Sequence, residues 1–468
     1  CYNTIYNCMT TKPFPQPISL LKMLGPSFVI LALGLGSGEI ILWPYLTANY
    51  GLGIVWGALL GLTCQYFINM EIERYALVKG ESVFTGLAKL WPKLPYWFII
   101  STFLGWALPG IAAASAQIFG HLIGLKDFRW LAMIILLAIG LILTLNQSVY
   151  HTLEKITKTI ILIGLPCLII LAIILSTSTD WLALLQGLIG RGYNYHWLPS
   201  GVGLASFLAA FAYSGAGGNL NLSQSFYIKD KGYGMGLYAQ KISGLFRSNQ
   251  EQEVNLEGSD FTPNSTNLQR FRQWWKKMSV EHLLVFWFLG FLAMALLMIL
   301  SYSTAFGLNN NQEGINFIFN EARLIGQTLA PWVGSIFLIL LGIMLAQTQL
   351  GVLDSTSRIM AENAALLKLQ NKKEKKLNLS KIYYAFLWGQ IMFGIILLLL
   401  NFYEPKQLIT VGAIINALAM FVHIGFVNIG NWKLLPPSTR PGWPRRIIML
   451  IIFLLFAGFG GITLFSYL

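Results

Sequence analysis

Long apolar runs dominate the chain, and polar residues are confined to the stretches between them. Runs of about twenty apolar residues, the length that crosses a bilayer as a helix, fall at 22–48, 53–72, 96–124, 128–147, 156–177, 200–227, 283–306, 331–353, 382–401, 408–430 and 446–467. Each run is continuous rather than alternating and rich in Leu, Ile and Ala. The pattern therefore predicts eleven transmembrane helices and excludes a β-barrel. The connection "EIERYALVKGESVFTGLAKLWPKLP" (71–95) is amphipathic and too polar to span.

Two runs are interrupted at mid-depth. The first carries "LGLGSGEII" (33–41), with Gly36, Ser37 and Gly38 near its centre and the ionisable Glu39 beside them. The sixth carries "AYSGAGGNLNLS" (212–223), centred on Gly215, Ala216, Gly217 and Gly218, with Asn219 following. Both open a set of five runs, so runs one to five and six to ten form corresponding halves, with the eleventh outside them. Glycine-interrupted spans at matching positions in two halves point to the binding site of a secondary transporter. Unwound backbone in hydrocarbon leaves N–H and C=O groups without partners, which is tolerated only where protein or a wet cavity receives them. Glycines also let helices pack closely. Two interruptions in register, one bearing a carboxylate, favour a site.

A charged group at the membrane centre costs at least ~2.5–3.5 kcal/mol, so Glu39 needs a partner or a function. At the start of a second half-helix it is placed to cap free N–H groups and still offer an oxygen to a cation.

Composition agrees. Charged residues make up 11% of the 468 residues and hydrophobic ones 55%, against roughly 25% charged in a soluble domain. The net charge of +13 does not indicate a nucleic-acid partner, because the basic residues lie between apolar runs, where they orient a protein in the bilayer. With the N-terminus in the cytoplasm, all but five of the 32 Lys and Arg (Lys126, Arg129, Arg191, Arg323 and Lys406) fall on the cytoplasmic side. The C-terminus is then extracytoplasmic. The expected organisation is a cytoplasmic tail (1–21), a first five-helix repeat (22–177), an extracytoplasmic loop (178–199), a second repeat (200–430) and the eleventh helix (431–468). A monomer in a lipid bilayer is expected.

Within the second repeat, 228–282 is a cytoplasmic loop. Its segment "LQRFRQWWKKM" sets Trp274 and Trp275 among Arg270, Arg272, Lys276 and Lys277, which predicts a short interfacial helix tethered to the membrane surface. "LQNKKEKKLNLS" (369–380) reads as a solvated charge run. The sequons at Asn264 and Asn378 are cytoplasmic in this topology. Cys1 and Cys8 lie in the tail and Cys64 and Cys167 in apolar helices, a spacing that gives no disulfide framework or metal cluster. Without a starting Met, "CYNTIYNCMT" is expected to be an incomplete N-terminus. The first run is too long for a cleavable signal and is expected to stay in the membrane.

Five patches carry a family resemblance: "GPSFVILALGLGSGE" (25–39), "NMEIERYALVKGES" (69–82), "TLEKITKTIILIG" (152–164), "GGNLNLSQS" (217–225) and "LAQTQLGVLDSTSRIMAEN" (345–363). In order and spacing the chain resembles the natural resistance-associated macrophage protein (Nramp) family over roughly 20–430. The resemblance implies an all-α integral membrane bundle of the LeuT-type 5+5 inverted repeat and transport of a divalent metal. It departs at the decisive positions. The family's Asp-Pro-Gly-Asn motif falls on Gly36-Ser37-Gly38-Glu39, and its Met-Pro-His on Ala216-Gly217-Gly218, with Asn219 following as the family's next Asn does. Gln347 matches a family glutamine near the site. The third run lacks the acids linked to proton movement in the family. The chain is similar to a divergent branch without the usual metal ligands.

Losing sulfur and keeping a carboxylate, an amide and carbonyls leaves hard oxygen donors, which suit Mg²⁺, Ca²⁺ or Mn²⁺ better than soft metals. Glu39 and Asn219 are the expected metal contacts, for a cation that keeps several waters. No cofactor other than such a transported cation is expected, and proton coupling is in doubt. The alternative is a transporter of a small organic solute such as an amino acid, whose carboxylate the "GSG" backbone would hold. No constellation of catalytic side chains supports an enzyme.

Other intramembrane polar groups have blander readings. Asp354 and Arg358 are expected to pair at i, i+4, Asn416, Met420 and His423 to form a packed polar face, and Glu71, Glu73 and Arg74 to act as interfacial anchors. Pro109 and Pro166 are expected to kink their helices.

Overall fold

The computed structural model describes residues 11–23, 25–145, 149–241, 251–371 and 376–467. Cys1, Cys8 and part of the 369–380 charge run lie outside them. The chain forms a multi-pass helical bundle. Among the described residues, nine helices are long and apolar enough to cross a membrane. The two remaining runs are an apolar helix of 17 residues, Arg129–Leu145, and the sixth span, which is in pieces. A helix satisfies its own backbone, so such runs have no cheaper way to enter lipid.

Burial separates the spans. Pro26–Tyr50, the first, is enclosed by protein along its apolar length, whereas the eleventh turns most of the surface of Trp443–Ile462 outward. Exposed Leu and Ile on the fourth, fifth and eleventh spans, such as Ile134, Leu162 and Leu454, form the surface that lipid covers. The third span is split at Ala107–Pro109 into Leu94–Trp106 and Gly110–Leu122. Pro166 lies inside the helix Val149–Leu175.

The polar connections meet in two sets. On one face, Arg74 donates to the Thr439 carbonyl, Lys79 binds Asp260, and the Gly258 N–H donates to Glu81. On the other, Lys406 donates to the Gln312 carbonyl and Tyr195 to that of Tyr50. The first set unites the basic connections, so it is called the basic face below.

Two expectations are corrected on that face. Residues 265–282 do not form a separate interfacial helix. The seventh span runs unbroken from Ser265 to Ala305, capped by Asn264, with a wider π-helical stretch at Leu283–Phe288. Its first turns bind the tail. Arg270 donates to the Phe14 carbonyl, the Trp274 indole to Pro15 and Lys277 to Ile18, while Phe14 is buried against Phe261 and Phe271. Trp274 is buried, and Trp275 lies under the guanidinium groups of Arg74 and Arg445. The basic-aromatic pattern served protein packing and cation–π contacts.

The second correction concerns Glu71, Glu73 and Arg74. The second span, Leu52–Lys79, extends well past its apolar run, so all three are buried. Glu71 pairs with Arg74 and Arg445 and accepts from Asn431, while Glu73 faces His282. They link helices instead of anchoring one. Residues 376–377 of the charge run pair as a short strand with 252–253. The sequon residues Asn264 and Asn378 both serve as helix N-caps.

Candidate functional site

The first span stops being a regular helix at Gly34. Leu35 and Gly36 turn, and the chain resumes as a π-helix, Ser37–Leu42, before becoming α-helical again at Trp43. The sixth span ends its first half, Leu204–Ala212, at Tyr213 and resumes at Gly218 as a 3₁₀ turn leading into Gln224–Asp230. Gly215 at φ +119° and Gly217 at φ +70° hold backbone conformations that other residues rarely adopt. Both breaks expected from the glycine pattern are present.

The breaks pack against each other. A Cβ added at Gly34 would sit 2.9 Å from the Gly215 backbone, and one at Gly38 only 1.8 Å from the Tyr213 carbonyl oxygen. Gly34 is thereby brought beside Gly215 and Ala216, and Gly38 beside Tyr213, while Gly36 faces Thr348 and Gly218 faces Asn416.

Two side chains claim four of the peptide groups at the breaks. Thr348 on the eighth span, Pro331–Asn371, donates to the carbonyls of Ala32 and Leu35, 3.2 and 3.0 Å away. Gln65 on the second span donates to the Ala212 carbonyl and accepts from the Gly217 N–H, each at 3.0 Å. The Trp43 indole adds a bond to Ser214 at 2.9 Å. Gln65 and Thr348 were not singled out in the sequence. Their signal is a polar side chain within an apolar run, for Thr348 between Gln347 and Gln349.

Glu39 is the charge-bearing group here. It is 1% exposed and lies in the first turn of the second half-helix. The N–H groups of Gly36, of Gly215 and of Glu39 itself face its carboxylate, so both breaks contribute donors. One oxygen, Oε2, has no hydrogen-bond partner. A buried carboxyl oxygen without a partner can accept a cation without breaking an existing hydrogen bond.

Asn219 is hydrogen-bonded to neighbouring spans. Its amide donates to Ser101 and Thr102 at 2.8 and 2.9 Å, and its oxygen lies 3.4 Å from His423 Nδ1. It is thus committed to the third and tenth spans. Asn416 donates to the Gly105 carbonyl and the Tyr213 hydroxyl, and Trp106 stacks on Tyr213 at 5.1 Å. The tenth span, Pro405–Leu434, does present the packed polar face expected of Asn416 and His423. Gln347 is buried beside Thr348. Asp354 and Arg358 pair at 3.0 Å, with Tyr383 donating to Asp354. Among the described residues, no group of three or more His, Cys, Asp or Glu comes together as a metal cage.

No protein-family model and no curated protein matches the chain. Solved structures do. The Eremococcus coleocola manganese transporter in complex with an aromatic bis-isothiourea substituted compound aligns over 99% of this chain and 90% of its own, with a TM-score of 0.69 at 13% identity. A mutant of the same transporter aligns over 98% and 90%, with a TM-score of 0.68 at 12% identity. Mhp1, a nucleobase-cation-symport-1 family transporter in a closed conformation with bromovinylhydantoin bound, aligns over 94% and 91%, with a TM-score of 0.50 at 10% identity. The fold is the LeuT-type inverted repeat. In it, the paired breaks of the first and sixth spans lie at corresponding positions of the two five-helix repeats.

Proposed function

We propose that the chain is a secondary transporter that carries a hard divalent cation of the Mg²⁺ or Mn²⁺ type past Glu39. Alternating exposure of the paired breaks would open the site to each side in turn. The supporting observation is Glu39 itself: a carboxylate enclosed at the junction of two chain breaks, with one oxygen unpartnered. Oxygen donors suit hard cations. With a single carboxylate and no cage, the ion would keep most of its water. Asn219 would join only if it left Ser101 and Thr102. The positive-inside asymmetry supports an N-terminus in the cytoplasm and a C-terminus outside.

A small organic solute is the second reading, and the geometry weighs against its amino-acid form. The backbone N–H groups that would hold a substrate carboxylate already face the carboxyl of Glu39, so an incoming anion would compete with it for them.

The test uses purified protein melted with MgCl₂, MnCl₂ or a panel of amino acids. A ligand that binds only the folded state raises the melting temperature, by about 2.7 kcal/mol of stability at a hundredfold excess over Kd. Stabilisation by Mg²⁺ or Mn²⁺ that Glu39→Gln abolishes is expected, with matching loss of cation flux in liposomes. Stabilisation by an amino acid together with indifference to cations sinks the proposal.

A further inference from the structure

A second cluster of ionisable groups lies on the basic-face side, outside the site at the breaks. His282 Nδ1 is 3.0 Å from Glu73 Oε1 and 2.9 Å from the Ser27 hydroxyl. Ser27 in turn donates to Glu281, and Gln224 donates to Glu73 at 2.7 Å. Five side chains thus form one chain of contacts, Gln224–Glu73–His282–Ser27–Glu281. They come from four elements: the first half-helix of span one, span two, the second half-helix of span six, and span seven. All are buried, and Glu281 Oε1 and His282 Nε2 have no partner.

The surroundings are aromatic and carry little compensating charge. Phe286 stacks on the His282 ring at 4.7 Å, and the Tyr66 ring packs against it at 5.6 Å. Arg445 reaches Tyr66 but makes its ion pair with Glu71, which also holds Arg74. Among the described residues neither Glu73 nor Glu281 is paired with Lys or Arg. Two carboxyls and one imidazole therefore share an enclosed space. With every group deprotonated they would bring two negative charges into it, a form that burial disfavours steeply.

We infer that the Glu73–His282–Glu281 cluster is a proton-binding site whose occupancy is linked to the closure of the basic-face side. Ser27 is the reason. It lies in the first turn of the half-helix Pro26–Gly34 and carries the contact between His282 and Glu281. Separating that half-helix from the seventh span removes the hydroxyl and admits water, which restores the charged forms. Closure therefore takes up a proton, and opening releases it. No other group need change oxidation state or bonding. The site deepens the transport reading by naming where a proton would be coupled to gating, in a chain whose third span carries no acid.

Hydrogen–deuterium exchange of the full chain in nanodiscs tests this without any cargo. A failed cation screen would leave this result untouched, and the reverse also holds. After correction for intrinsic exchange chemistry, the opening constant of residues 26–34 is expected to rise with pH between 5.5 and 8.5. One linked proton gives up to tenfold per pH unit. Glu281→Gln should flatten the slope while leaving peptides of the eleventh span unchanged. If that variant fails to fold, Glu73→Gln serves, and the wild-type profile decides by itself. A flat corrected profile in the wild type, or a full slope retained in both variants, overturns the inference.

Discussion

The two chain breaks solve one problem by different means. In the first, the turn is short, the helix resumes at once in a widened π form, and a carboxylate occupies the reopened first turn. In the second, the unwound stretch is longer, uncharged and built on glycines at positive φ. Each is secured by a side chain from an unbroken helix of the opposite repeat: Thr348 of the second repeat holds the first break, and Gln65 of the first repeat holds the second. The exchange teaches that a broken span is stable where its orphaned peptide groups are paid for by a partner repeat. It also separates roles, because one break supplies charge and the other supplies shape.

The severest way to disturb this arrangement is to push the breaks apart. In Gly38→Ala the new Cβ would meet the Tyr213 carbonyl oxygen at 1.8 Å and its carbon at 2.7 Å. Backbone cannot step aside as a flexible side chain does, so the cost lies at the upper end of overpacking, about 3 kcal/mol or more. Thermal melting in detergent is expected to show a large fall in the melting temperature and loss of cation-dependent stabilisation. A variant as stable as the parent would mean that the breaks are not in contact.

A milder intervention removes the clamps one at a time. Gln65→Leu leaves the Ala212 carbonyl and the Gly217 N–H without partners, and Thr348→Val does the same to the Ala32 and Leu35 carbonyls. An unsatisfied buried group costs about 1–3 kcal/mol, so each substitution should destabilise by roughly that amount. Because the breaks touch, the double variant should depart from additivity by about 0.5 kcal/mol or more. Strict additivity in a double-mutant cycle would show that the two clamps act on independent structures.

Which parts of this were legible in the sequence follows from what pattern can encode. The spans were readable because hydrocarbon demands long apolar runs, and the breaks because glycine clusters there have few other uses. Glu39 stood out by its cost. The partners of the breaks were not readable. Gln65 in "LTCQYF" and Thr348 in "LAQTQLG" are polar residues inside apolar runs, and nothing local says which distant carbonyl each will meet. Asn219 followed the break as expected, yet its amide turned to Ser101 and Thr102, a choice made by the third span's packing. Residues 265–282 misled for another reason. Basic and aromatic residues side by side suit a lipid surface and a protein groove equally well, and only the tail's position decides between them.

Glu321 sharpens the comparison by showing what a buried carboxyl is without a break around it. It lies on the helix Asn316–Thr328 between the seventh and eighth spans, is 2% exposed, and its Oε1 has no partner. Glu39 has three N–H groups facing it. Glu321 has burial alone, which pushes its carboxyl well above the usual carboxylate range. In the unfolded chain this group loses its proton near pH 4.5, while the folded protein retains it. The unfolded state therefore binds fewer protons as pH rises above that value, and the contribution of Glu321 to stability falls with increasing pH until the folded group also ionises. Glu321→Gln removes the titration, so the variant should gain on the wild type steadily from pH 4.5 upward in melting experiments. A gap between the two that stays constant from pH 4 to 8 would show that water reaches Glu321. It would then make Glu39 the sole carboxyl of the pair held in a dry setting.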